Sequence, residues 1–197
     1  MYNRNIMTLE IYVGPMFSGK TTKLIHMYIA NKHSNKIIID YDLQEKKGKV
    51  EVGNIINHNQ YELSGAYKAC TFRDLKNEDA FDSNQEYRDF LTAKHIYINE
   101  CQFFPDLKEF VMSRLNANVN VYLYGLNGDY KQQPFGQTFQ LIPYCSHIET
   151  IKGMCKTCNS HAVVSYRTVQ NTDLYLTDST CYIPLCLQCF SSTTSNE

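Results

Sequence analysis

GPMFSGKTT, residues 14–22, decides the fold: eight of its residues fit Gly-x-x-x-x-Gly-Lys-[Ser/Thr], the spacing of a loop that cradles phosphates. Directly before it, LEIYV (9–13) is a short apolar run that reads as a buried strand. From Thr21 onward Leu24, Ile25, Tyr28 and Ile29 recur at helical spacing. In a strand–loop–helix context, backbone N–H groups converge on an anion, helped by the positive end of the helix. Gly14 and Gly19 then permit the turn, and Pro15, Met16, Phe17 and Ser18 form its body. Lys20 reaches the β- and γ-phosphates, and Thr21 offers its hydroxyl to Mg²⁺. The expected ligand is ATP with Mg²⁺.

The 197 residues suit one full domain with a small appendage. Nineteen basic against 20 acidic residues give no global pull toward nucleic acid or a membrane surface. No run approaches the roughly 18 apolar residues of a spanning helix. The first residues, MYNRNIMTLEIYV, lack a signal-peptide core, so a cytoplasmic protein is expected. KIIID (36–40), HIYINE (95–100) and VNVYLYG (119–125) read as further strands. YRDFL (87–91) and FPDLKEFVMSRLN (104–116) read as helical. Alternating strands and helices predict an α/β fold, a P-loop NTPase-type parallel sheet with ligands at the carboxyl ends of its strands.

Residues 43–65, polar and glycine-punctuated, read as a mobile hairpin or loop outside the core. After Gly125 the helical period disappears; AVVSY (162–166) and LYLT (174–177) look like short β pieces, and FSSTTSNE (190–197) like a frayed tail. The expected organisation is a nucleotide-binding domain over 1–144, a small zinc-binding domain over 145–190, and a disordered tail over 191–197.

Phosphoryl transfer needs a group that handles the nucleophile's proton, placed on a neighbouring strand end. Glu100, closing HIYINE, is the candidate; its plain alternative is a capping or solvated carboxylate. A strand-end Asp would ordinarily help hold the water shell of Mg²⁺, yet Asn99 stands there. Its amide oxygen can accept a hydrogen bond from a metal-bound water but carries no charge. Further on, Cys155-x-x-Cys158 and Cys186-x-x-Cys189 are two turns that together can close a Cys₄ site around one tetrahedral Zn²⁺. No ligand position would be left open, so the zinc is expected to be structural, pinning a hairpin with a long insert. Cys70, Cys101, Cys145 and Cys181 read as ordinary reduced, buried cysteines.

The order GPMFSGKTT, INECQFFPD, GLNGDYKQQPFG and the two Cys-x-x-Cys pairs resembles the type II thymidine kinases, from about residue 9 to 190. The resemblance implies transfer of the γ-phosphate of ATP to the 5′-hydroxyl of thymidine, by a P-loop α/β domain with a small zinc domain bearing a lasso loop. It also implies a homotetramer, inhibition by the thymidine triphosphate end product, and no nucleic-acid or membrane partner. By position, Glu100 matches the family's catalytic base. Phe103 and Phe104 match its pocket-walling QFF element, and residues from about Asp173 to Cys186 match the lasso. Met16, Leu126, Tyr130, Phe135, Ser165 and Tyr182 fall where the family lines the base.

Three departures stand out. Asn99-Glu100 replaces the family's Asp-Glu pair. Gln44 and Lys46 stand where relatives carry an Asp and an Arg, leaving Lys46 to meet a phosphate as a point charge. The lasso's Gly-Gly is absent, with Asp178 and Ser179 in LTDSTCYIPLC. These departures keep two alternatives open, a kinase for another deoxynucleoside and a catalytically weakened nucleoside-binding relative. An ATPase gripping nucleic acid through its zinc ribbon is disfavoured, since no dense Lys/Arg run surrounds Cys155–Cys189. Far apart in sequence, the P-loop and the zinc hairpin are expected to act independently.

Overall fold

The computed structural model describes residues 7–44 and 48–195. Lys46 lies outside the described residues. The elements run β1 (Leu9–Gly14), α1 (Lys20–Ala30), β2 (Lys36–Tyr41), β3 (Glu51–Ile56), β4 (Glu62–Ala69), α2 (Asn84–Thr92), β5 (His95–Ile98), α3 (Leu107–Asn116) and β6 (Asn120–Leu126). They continue with β7 (His147–Thr150), β8 (Gly153–Met154), β9 (His161–Ala162), β10 (Val164–Arg167), β11 (Tyr182–Leu185) and α4 (Leu187–Thr194). Seven strands form one sheet in the order β3-β4-β2-β5-β6-β1-β7, parallel except for the edge strand β3.

The pleat sends alternate side chains to opposite faces, and both faces are covered. Leu9, Ile11, Val13, Ile96, Ile98, Val121 and Leu123 point to one side, where Phe90 of α2 and Phe110, Val111 and Leu115 of α3 pack on them. Tyr12, Ile38, Tyr97 and Tyr124 point to the other, under Leu24 and Ile25 of α1. This double burial explains why the strands read as unbroken apolar runs. It also aligns the carboxyl ends of β1, β2, β5 and β6 along one rim, with α1 starting beside it.

Several expectations shift. Residues 43–65, read as a mobile hairpin or loop, hold β3 and the start of β4, which runs on to Ala69, pairs parallel with β2 and buries Ala66, Tyr67 and Ala69. Small and polar residues in ELSGAYKA disguise this strand. The hairpin β3–β4 is present, with a register shift between Gly53 and Asn54. Strand β7 pairs with β1, so residues 147–150, expected in the small zinc-binding domain over 145–190, join the main sheet. LYLT is not a strand; the chain there is held by a side chain, as shown below. Residues 191–194 belong to α4 and not to a disordered tail. Its Ser and Thr hydroxyls bond back to carbonyls one turn earlier, Thr193 to Cys189 and Thr194 to Phe190, which satisfies polar side chains within the helix. On α1, Ile29 is exposed and not part of the buried face. Among the described residues no helix is long and apolar enough to cross a membrane.

Candidate active site

The phosphate loop leaves the end of β1 and enters α1. Gly14 is fixed by close approach: a Cβ there would sit 2.2 Å from the Ile151 carbonyl oxygen. Gly19, the N-cap of α1, has φ +84°, a backbone state that L side chains avoid. Phe17 takes a left-handed φ of 62° despite its side chain, and its ring meets His58 of the β3–β4 turn at 4.7 Å. Non-glycine residues in that state store on the order of 1–3 kcal/mol, a strain that collects at functional loops. Ser18 Oγ is buried inside the loop without a hydrogen-bond partner. Lys20 is buried, its Nζ donating to the Pro15 carbonyl at 2.8 Å. Burial lowers its pKa, and the nearby Glu100 carboxylate opposes that shift. The donor set fits a triphosphate: converging amides, an unpartnered hydroxyl and a desolvated cation.

From the loop a cleft of about 720 Å³ runs along the strand ends, a volume ordinary for a small-molecule site. Of the expected residues, Met16, Phe17, Gly19, Lys20 and Thr21 line its phosphate end. Asn99 and Glu100 line it too. Phe103, Leu126, Tyr130, Phe135 and Tyr182 line the far end, whereas Ser165 lines the cleft beside Met16 of the loop. Gly14, Pro15 and Ser18 shape the loop from behind. Phe104 is not in the cleft. It is fully buried, stacked on Phe72 at 4.3 Å in the core under α3, because the single helical turn Cys101–Phe103 ends there and Phe104 takes extended backbone, which sends the two rings different ways.

Glu100 follows β5 with φ 49°, a left-handed kink that lifts its carboxylate off the strand end. Gln102 Nε2 donates to its Oε2 at 2.7 Å, while Gln102 Oε1 accepts from the Leu126 amide at 3.0 Å. A buried Gln thus fixes the carboxylate relative to β6. Burial pushes the neighbouring Cys101 thiol up to about 12, which keeps it neutral and unreactive. Asn99 is buried and its Nδ2 donates to Asp40 Oδ1 at 2.9 Å. Gln44, in the mouth, is exposed.

At the far end Phe103 meets Phe135 edge-on at 5.3 Å, Tyr175 edge-on at 4.8 Å and Tyr41 at 5.1 Å. These rings make an aromatic slot of the kind that holds a planar base. Tyr175 belongs to loop 168–181, the insert of the β10–β11 hairpin. Arg167 holds that loop: it donates to the carbonyls of Asn171 at 2.9 Å, Asp173 at 2.7 Å and Leu174 at 3.2 Å. It also donates to the Tyr182 hydroxyl at 2.7 Å, and its guanidinium lies 3.6 Å over the Tyr130 ring. The Tyr182 hydroxyl in turn accepts from the Leu176 amide at 2.9 Å. Sequence reasoning named Tyr130 and Tyr182 but missed Arg167, Tyr175 and Tyr41. One available signal was the period-two spacing that puts Arg167 on the same face as Ser165.

The sulfurs of Cys155, Cys158, Cys186 and Cys189 all lie within 4.8 Å of one another. Tetrahedral zinc with bonds of about 2.3 Å needs sulfurs roughly 3.8 Å apart, so this Cys₄ cluster could bind zinc. The first pair sits on the turn between β8 and β9, and Cys186 is the N-cap of α4. The hairpin is not independent of the phosphate loop. The Met16 amide donates to Ser165 Oγ at 2.9 Å, and Asn127 Nδ2 donates to the Val163 carbonyl at 2.7 Å.

The family model for thymidine kinase matches residues 7–190. A thymidine kinase of Amsacta moorei entomopoxvirus is 30% identical over 94% of this chain and 99% of its own length. Thymidine kinase 1 of Dictyostelium discoideum is 27% identical over 93% of this chain and 78% of its own. The cytosolic thymidine kinase of Homo sapiens is 28% identical over 81% of this chain and 62% of its own.

Proposed function

Because the chain belongs to the thymidine kinase family, we propose that it transfers the γ-phosphate of ATP to the 5′-hydroxyl of thymidine, giving thymidine monophosphate for pyrimidine salvage. The observation that carries this reading is that Glu100, the P-loop residues Lys20 and Thr21, and the aromatic slot line one cleft. A base held in the slot would extend its sugar toward Glu100 and the phosphate loop. The Glu100 carboxylate, aimed by Gln102, accepts the 5′-hydroxyl proton as that oxygen bonds to the γ-phosphorus and the bond to the β-phosphate oxygen breaks. Lys20 and the loop amides stabilise charge on the phosphoryl oxygens. Mg²⁺, when bound with ATP, would neutralise phosphate charge, with the Thr21 hydroxyl as a ligand and the Asn99 amide oxygen as an acceptor for a metal-bound water. Phe103, Phe135 and Tyr175 bind the base by stacking and edge contacts, and Arg167 keeps the covering loop closed.

A second reading, a kinase for another deoxynucleoside, is favoured by the altered covering loop, where Ser179 lines the cleft and Asp178 caps Thr180. Incubating the purified chain with ATP, Mg²⁺ and each deoxynucleoside tests both. Thymidine should be phosphorylated at least about tenfold more efficiently than the others, since the base contacts are specific. Preference for another base would support the second reading, and no transfer to any would reject both. The family resemblance also supports a cytoplasmic homotetramer, which light scattering of the purified chain tests.

A further inference from the structure

The strand-end acid absent at position 99 has a counterpart one strand away. Ile39 of β2 pairs with Ile98 of β5, and the Asn99 amide donates to the Ile39 carbonyl at 2.8 Å, so residues 40 and 99 emerge side by side at the rim. Asp40 lines the cleft yet is 7% exposed. A carboxylate so desolvated persists only with partners. It has one on each side: Asn99 Nδ2 donates to Oδ1, and Lys68, its register partner on β4, forms an ion pair with Oδ2. Three adjacent strands thus contribute an amide, a carboxylate and an ammonium in a row. An ionised carboxylate offers about four acceptor positions. Two protein donors leave capacity for water in the cleft that Lys20, Thr21 and Glu100 also line.

We propose that Asp40 is the carboxylate that anchors the water shell of Mg²⁺·ATP in this chain, with Asn99 as the donor that aims it and Lys68 as its counter-ion. The asparagine follows from the relocation. Two carboxylates at positions 40 and 99, within hydrogen-bond distance, would not both ionise. An amide at 99 removes the repulsion and supplies a donor. The proposal rests on the phosphoryl-transfer reading above.

The test compares Asp40→Asn, Asn99→Asp, the exchanged pair carrying both changes, and Lys68→Met. Mn²⁺ retention by each protein with a non-transferable ATP analogue is read by electron paramagnetic resonance, beside the Mg²⁺ dependence of transfer and the thermal midpoint. Asp40→Asn should weaken Mn²⁺ retention and raise half-saturating Mg²⁺ about tenfold, the loss of one charge-assisted contact. The exchanged pair should recover most of that loss, and Asn99→Asp alone should give no gain. Unchanged Mn²⁺ retention in Asp40→Asn would overturn the proposal. So would equal falls in thermal midpoint for Asp40→Asn and Lys68→Met with Mg²⁺ dependence unmoved, which would mark the pair as structural. Failure of the kinase reading looks different: the unaltered chain would retain Mn²⁺ with the analogue and yet transfer no phosphate to any nucleoside.

Discussion

At the phosphate-loop end of the cleft, one uninterrupted stretch from Val13 to Leu24 supplies strand, loop and helix, and what such a loop offers a phosphate is mostly backbone amides. At the nucleoside end the wall comes from separate places: Tyr41 after β2, Phe103 after β5, Phe135 after β6, and Tyr175 and Tyr182 around an insert of the C-terminal hairpin. The first end rests on a sheet buried on both faces. The second depends on Arg167 and a cysteine cluster to hold a loop whose regular structure is one helical turn at Ser179–Cys181. A backbone-built site tolerates drift in most of its side chains, whereas a site of gathered side chains fails when its tether does.

Substitutions should separate the two ends. The largest effect is expected at the phosphate end: Lys20→Ala should reduce transfer to background while thymidine still binds, measured by calorimetry. Loss of both ligands would tie Lys20 to the fold instead. Between the ends, Glu100→Gln should cut turnover roughly 10²–10⁴-fold with ATP affinity unchanged, the range for a positioned general base. Turnover within a few-fold of the unaltered chain would remove Glu100 from that role.

At the nucleoside end, Arg167→Met should raise the thymidine KM by about 10–100-fold, since three loop carbonyls and a tyrosine hydroxyl lose a charged donor. The ATP KM should stay near its starting value; a matching rise in both would mean that the loop and the phosphate site move together. The adjacent phenylalanines give the finest contrast. Phe103→Leu should raise the thymidine KM several-fold at little cost in stability. Phe104→Ala should cost about 3–5 kcal/mol of stability by leaving a core cavity. Urea denaturation beside kinetics separates these outcomes, and exchanged behaviours would reverse the two assignments.

The phosphate end was legible in the sequence because its chemistry is local: nine consecutive residues carry spacing, turn and cation. The cysteine pairs were legible for the same reason. The nucleoside end was legible only in part, through the resemblance: Phe103, Leu126, Tyr130, Phe135, Ser165 and Tyr182 do line the cleft, but adjacency in sequence misleads elsewhere. Phe103 and Phe104 look equivalent, yet one helical turn sends one ring to the cleft and the other to the core. Arg167 and Asp40 are single charges in apolar runs, and what they do depends on partners 4 to 59 residues away. Strand β4 was hidden by its small and polar residues, which pack in a sheet only because β2 and β3 flank it. The contact of Ser165 with the Met16 amide was likewise not legible, because it joins segments 149 residues apart.

That contact makes one measurement the most direct. A non-transferable ATP analogue and thymidine are titrated separately into the zinc-loaded chain and into chain treated with a chelator, with zinc counted by mass spectrometry. Freeing the hairpin ends restores loop disorder worth about 1–2 kcal/mol per residue released, so thymidine affinity should fall by at least about tenfold. The ATP analogue loses the support of one hydrogen bond, about 1 kcal/mol, so its affinity should fall by no more than about fivefold. Equal losses for the two ligands, or a chain that folds and binds thymidine normally without zinc, would contradict a nucleoside end held separately by the cysteine cluster.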